Sequence, residues 1–205
     1  NKVVGRRPVS GERVFFQGRE VRIASPRHAR DLGIGMVPED RKGHGLILSR
    51  SVRDNITLTI LDRLCRWGGF VDAERQARVS RQYVDHFRIR CPHDGVGVDT
   101  LSGGNQQKVV LTKWLARDCQ AIILDEPTRG IDVGAKFEMY TLINELSRQG
   151  KAVILISSDL PELVSMSDRL YIVHEGDFVA ELDARRTSQE EVMRFASGYF
   201  EWAAG

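Results

Sequence analysis

Ala121-Ile122-Ile123-Leu124-Asp125-Glu126-Pro127-Thr128 is the stretch that decides the fold. Four apolar residues in a row are too few for an ordinary helix. Bounded by charge and proline, they read as a strand buried on both faces, as strands of parallel sheets are. The same logic works outward. Downstream, Ala135–Gln149 has Ala135, Met139, Leu142, Ile143 and Leu146 at helical spacing, Ala152–Ile156 is a second apolar strand, and Leu160–Met166 a short helix. Leu170–Val173 and Phe178-Val179-Ala180 flank a Gly176-Asp177 turn and predict a hairpin, and Ser188–Ala196 a last helix. Upstream, Gln106–Arg117 reads as helix. Strands alternating with helices predict an α/β fold whose parallel sheet is covered on both faces.

The first hundred residues are more mixed. Val14-Phe15-Phe16 and Val21-Arg22-Ile23 predict a hairpin about a Gln17–Glu20 turn. Ser25-Pro26 opens a helix, serine as N-cap and proline in the first turn, which closes near Gly33. Ile34-Gly35-Met36-Val37 is a buried strand stopped by Pro38, and a charged loop with glycines follows from Glu39 to Gly45. Val52, Ile56 and Ile60 mark one helix and Asp72 to Arg88 a longer one, separated by Trp67-Gly68-Gly69-Phe70. Trp67 and Phe70 are expected to pack within this helical region. The resulting division is a partial core in 1–45, a helical subdomain in 46–104 and a second core portion in 105–205.

Composition excludes several classes. In 205 residues, 30 Lys and Arg balance 28 Asp and Glu for a net charge of +2. Domains that bind nucleic acid through bulk charge carry a basic excess, so no nucleic-acid partner is expected. No apolar run approaches the roughly 20 residues that span a bilayer. Three cysteines without C-x2-C spacing argue against a zinc site or a disulfide framework and for free thiols in a reducing compartment. His86, His93 and His174 have no metal-ligand spacing, and His44 reads as a solvated loop residue.

Two segments carry chemistry. In Leu101-Ser102-Gly103-Gly104-Asn105-Gln106-Gln107-Lys108, a hydroxyl and free N–H groups stand at the positive end of a helix dipole, a setting suited to a phosphate. The other is the strand that ends in Asp125 and Glu126. Carboxylates at the C-terminal tip of a parallel strand lie where such sheets bind ligands. Asp125 suits Mg²⁺ and Glu126 suits polarising a water. Gly104 and Asp125 are 21 positions apart with an amphipathic helix between, and it is the pair in this order that is informative.

Taken together these motifs resemble the nucleotide-binding domain of ABC transporters, over almost the whole chain. Leu101–Gln106 is similar to the signature motif, Ile122–Glu126 to the Walker B strand with its following glutamate, and Gly130-Ile131-Asp132 to the D-loop. Val37-Pro38-Glu39-Asp40-Arg41-Lys42 falls at the Q-loop and Ser157-Ser158-Asp159 at the H-loop. Gly5 and Pro8-Val9-Ser10-Gly11 resemble the segment after the Walker A helix. Val-Pro-Glu-Asp-Arg-Lys, Leu-Ser-Gly-Gly-Asn-Gln-Gln-Lys and Asp-Glu-Pro-Thr-Arg-Gly-Ile-Asp-Val-Gly-Ala-Lys narrow this to the C-terminal half of the fused double ATPases of bacterial monosaccharide importers. The resemblance implies ATP and Mg²⁺ as cofactors. It implies Ser102, Gly103, Gly104, Gln106, Asp132 and Ser158 as nucleotide-site residues, Asp125 and Glu39 as metal ligands, and Glu126 as the catalytic residue. The implied partners are an N-terminal ABC half of the same polypeptide, transmembrane permease subunits and, through them, a periplasmic or extracellular sugar-binding protein. The implied location is the cytoplasmic face of the bacterial membrane.

Three departures bear on mechanism. No Gly-x-x-x-x-Gly-Lys-Ser/Thr loop occurs in these residues; the resemblance places it just upstream of Asn1. Glu39 stands where the family usually has Gln, and a carboxylate cannot donate as an amide does. Ser158 stands where a histidine is usual; it is too short to reach across a site, and capping the next helix is the simpler reading. The departures fall on this domain's own nucleotide site while its signature is intact. They imply a division of labour in which Ser102–Gly104 complete the site of the other half, and the chain by itself is expected to be inactive. A soluble ABC ATPase of translation is disfavoured because Arg129-Gly130-Ile131-Asp132 replaces Asn-His-Leu-Asp, and one of DNA repair because long heptads are absent. A degenerate regulatory module is the other alternative.

Overall fold

The computed structural model describes residues 13–66 and 69–199. The Gly5–Gly11 segment and Trp67 lie outside the described residues. The chain runs β1 (Val14–Phe16), β2 (Arg19–Val21), α1 (Pro26–Leu32), β3 (Ile34–Val37), α2 (Val52–Thr57), α3 (Leu61–Leu64), α4 (Ala73–His86), α5 (Gly103–Leu115) and β4 (Ala121–Asp125). It continues through α6 (Val133–Arg148), β5 (Ala152–Ile156), α7 (Leu160–Met166), β6 (Arg169–His174), β7 (Asp177–Asp183) and α8 (Gln189–Ala196). A single π-helical turn spans Arg41–Gly45, between β3 and α2.

The parallel sheet has the order β3-β4-β5, with Val37 opposite Leu124 and Asp125 opposite Ile156. All three strands therefore end on one edge. Val37, Ile122 and Leu124 are fully buried, and Gly35 fits close under α5: a Cβ there would stand 3.0 Å from Trp114 and 3.1 Å from the Cys119 sulfur. Covering on both faces does not extend to β5. Ile154 is 55% exposed and Ile156 37%, so among the described residues one face of that strand is open.

Two other expectations are corrected. β2 starts at Arg19, and the hairpin turns on Gln17 and Gly18 alone, at φ 51° and 74°. Positive φ at both positions is the type I′ pattern, and a glutamine in place of the usual Asn or Asp at the first gives little sequence signal for it. Phe70 is 79% exposed rather than packed within the helical region.

The helical region shares its core with the sheet. Val52, Ile56, Phe87 and Val98 join Val109, Val110, Leu111, Ile122, Leu124, Met139 and Ile143 in one buried cluster. The division expected at residue 104 falls inside the first turn of α5. Buried polar groups stitch the loop after β3 to its neighbours. The Asn55 side chain accepts from the Ile47 N–H (2.8 Å) and donates to its carbonyl (3.1 Å), and the buried Lys113 ammonium donates to the Gly45 carbonyl. β6, β7 and α8 form a separate small core around Leu170, Ile172 and Val192.

Candidate functional site

The site grows from the ends of the three parallel strands. β4 delivers Asp125 as its last residue, half-buried, and Glu126 follows with φ 47°. A non-glycine residue in the left-handed region costs of order 1–3 kcal/mol and persists only where its surroundings hold it. Here they do. The Glu126 N–H donates to the Ile156 carbonyl at 2.8 Å, its carbonyl accepts from the Arg129 N–H at 3.1 Å, and its carboxylate accepts from the Ser158 N–H at 2.7 Å.

The turn that presents Ser158 is firmly built. Asp159 caps α7 through the Glu162 N–H and is ion-paired to Lys136 at 3.0 Å, which holds its carboxyl below the usual carboxylate range. The capping role expected of Ser158 thus belongs to Asp159. Ser157 donates to the buried Glu162 carboxylate and accepts from the Asp159 N–H at 3.0 Å. Ser158 itself offers Glu126 a backbone amide.

At the tip beyond β3, the Glu39 carboxylate is in close contact with the Arg129 guanidinium. Glu39 is thus ion-paired within the chain, with both side chains largely at the surface. Among the described residues, no three His, Cys, Asp or Glu side chains gather into a metal-binding group.

A second candidate surface is the start of α5. Ser102 occupies the N-cap position and is exposed, yet its hydroxyl accepts from the Asn105 side chain at 2.9 Å and caps no backbone N–H. In α1, α2, α4, α6, α7 and α8, by contrast, the capping side chain accepts a backbone N–H. The first N–H groups of α5 thus keep no side-chain partner, at the positive end of a 13-residue helix. The two glycines have packing reasons of their own. A Cβ on Gly104 would stand 2.5 Å from the Ala135 Cβ of α6, and one on Gly103 would stand 2.8 Å from Arg41 and 3.2 Å from the Gly130 carbonyl.

Two expected site residues are bonded within the chain. Gln106 is buried and donates to the Val98 carbonyl at 3.2 Å, so it supports the turn before α5 from within. Asp132 caps α6 through the Ala135 N–H at 2.9 Å. Sequence reasoning missed Arg41 and Arg129 as site-forming side chains, and the Ser157–Glu162 pair. Both arginines sat inside motifs quoted for other residues, and only the folded chain shows what they reach.

Comparison with known proteins supplies the context. The family described as "ABC transporter" matches residues 3–129. The ribose import ATP-binding protein RbsA of Geobacillus kaustophilus is 48% identical over 196 residues, covering 96% of this chain and 40% of that protein. A putative ribose/galactose/methyl galactoside import ATP-binding protein of Agrobacterium fabrum is 45% identical over 197 residues, covering 96% of this chain and 39% of the relative. The chain thus spans about two fifths of the length of these relatives. Among solved structures, a dimeric ATP-binding cassette in a post-hydrolysis state bound to ADP and Pi superposes with a TM-score of 0.69 at 18% identity, covering 85% of this chain and 74% of the other. A nucleotide-free ATP-binding cassette from an ABC transporter gives the same score and identity over 90% and 73%. These two establish the fold alone. With the family match spanning more than half of its residues, this chain belongs to the ABC transporter family.

Proposed function

We propose that the chain is part of an ATPase that powers import of a monosaccharide of the ribose or galactose type, and that it contributes its signature turn to a nucleotide held mainly by a partner domain. The observation that carries this is the start of α5: an exposed serine at the N-cap that leaves the backbone N–H groups of the first turn uncapped. Such a terminus suits the phosphates of ATP. The names of the relatives, all sugar import ATP-binding proteins, supply the substrate class.

The residues fit Mg²⁺ in one respect only. Asp125, at the strand tip, would hold it with help from phosphate oxygens, since Mg²⁺ is commonly bound by one or two carboxylates plus phosphates and water. Bound there, the ion would offset phosphate charge. Glu126 would orient or deprotonate a water. Ser102, Gly103 and Gly104 would line the nucleotide, Gln106 and Asp132 would support them, and Ser158 would act through its amide on Glu126. The proposed partners are an N-terminal ABC half, permease subunits and a sugar-binding protein, with the ATPase on the cytoplasmic face of the membrane; among the described residues no helix is long and apolar enough to cross a membrane.

A second reading, of a nucleotide site that regulates more than it hydrolyses, is favoured at the Asp125–Glu126 end. There the two acidic residues expected to face metal or water, Glu39 and Glu126, are both engaged within the chain. Ser102→Arg in the natural full-length protein tests the main reading. Blocking the α5 terminus should lower ATP turnover about a hundredfold, the scale of losing one transition-state donor. Turnover at the parent rate refutes it.

A further inference from the structure

Arg41 ties together three segments that the motifs name separately. Its backbone is fixed first. The Asp40 carboxylate accepts from the Lys42 and Gly43 N–H groups at 3.1 and 2.9 Å, and its carbonyl accepts from the His44 N–H at 2.9 Å. These bonds to Asp40 lower its carboxyl below the usual carboxylate range. The turn then lands on α5: Gly45 is buried close to Val110 and its carbonyl accepts from Lys113. From this base the guanidinium reaches across. One terminal nitrogen donates to the Arg129 carbonyl at 3.0 Å and the other to the Gly130 carbonyl at 3.4 Å. The second lies 2.8 Å from where a Cβ on Gly103 would stand. The Nε is buried without a partner. Glu39, two residues back, grips the Arg129 side chain. The loop after β3 therefore holds residues 129–130 by both backbone and side chain and touches the first residue of α5.

We infer that Arg41 is a positioning residue that locks the Arg129–Gly130 backbone and the Ser102–Gly104 turn into one unit, and so sets how the α5 terminus meets its ligand. The planar fork of arginine donates to two carbonyls at once and fills the space under Gly103; a lysine ammonium is a point charge that meets one of them. That the ligand is ATP rests on the proposed function; the locking does not.

Arg41→Ala and Arg41→Lys in the natural full-length protein separate the two. Without nucleotide, amide hydrogen exchange at Gln106 and Arg129, whose N–H groups donate to the Ser102 and Glu126 carbonyls, should quicken about tenfold in Arg41→Ala, the scale of losing a hydrogen bond from a charged donor, with Lys recovering part of it. Exchange in β4, β5 and α6 should be unchanged. With Mg-ATP, kcat should fall about tenfold at nearly constant KM, and added ethylguanidinium should restore part of it. Gly103→Ala should cost less turnover in the Arg41→Ala background than in the parent, because one of its two collisions is gone. Unchanged exchange at Gln106 and Arg129, quickened exchange throughout the chain, or strictly additive effects of Arg41→Ala and Gly103→Ala overturn the inference. Local quickening with unchanged ATP turnover would uphold the lock and refute the assignment of ATP to the α5 terminus.

Discussion

Gly104→Ala isolates the packing demand of the signature turn from its chemistry. The new methyl would stand 2.5 Å from the Ala135 Cβ. Carbon atoms in contact sit about 3.5–4 Å apart, so the two helices must separate by about an ångström or more. Neither partner is the end of a flexible side chain that can swing away. Overpacking of this kind costs about 1–3 kcal/mol, against which the better helix propensity of alanine returns at most about 1 kcal/mol. The expected net is destabilisation of about 1–2 kcal/mol in urea unfolding. Ala135→Gly should remove the collision, so the double variant should return to within about 0.5–1 kcal/mol of the parent even though Ala135→Gly alone destabilises by the propensity difference. A double-mutant cycle on unfolding midpoints reads the coupling. Gly104→Ala as stable as the parent, or a double variant no more stable than the sum of the single losses, would refute the contact and return Gly104 to a purely ligand-facing role.

Lys113 gives stability a pH dependence. Burial lowers its pKa from 10.5 to about 8, so between these values the unfolded chain binds more protons, and stability should rise by up to about 3 kcal/mol as pH climbs through that window. Lys113→Met should flatten the rise, as read from urea midpoints at pH 7.5 and 10. Glu126→Gln should lower steady-state ATP turnover of the natural protein less than the matching change in the partner half; the opposite ranking would make this the hydrolysing site.

Much of this was legible in the sequence because strong local signals agreed with the fold. The apolar runs at 34–37, 121–124 and 152–156 became the parallel strands, and Ser25-Pro26 began α1. The signals failed where tertiary contacts, not local preference, decided the outcome. α5 starts at Gly103 because Ala135 and Arg41 pack against its first turn, although two glycines are poor helix formers. Ser158 reads as the capping residue for α7, yet Asp159 is the one whose carboxylate both meets the Glu162 N–H and pairs with Lys136. Gln106 reads as a polar signature residue, but its position on α5 turns it inward to Val98. Arg41 and Arg129 lie 88 positions apart, and no pattern in a single sequence announces a bond across that distance.

The segment from Glu126 to Ala135 explains why so much of the motif content is crowded into ten residues. It starts at a strained residue whose carbonyl closes a turn with the Arg129 N–H. The carbonyls of Arg129 and Gly130 are then held by Arg41, Asp132 caps α6, and Ala135 lies against Gly104. One short strap thus runs from the carboxylates at the strand tips to the underside of the signature turn, and every link is a direct contact. Asp125 and Glu126 face the ends of the parallel strands, whereas Ser102 opens to solvent at the head of α5. These two surfaces are therefore joined within one chain, Glu126 being linked to Ser102 by a contiguous run of direct contacts.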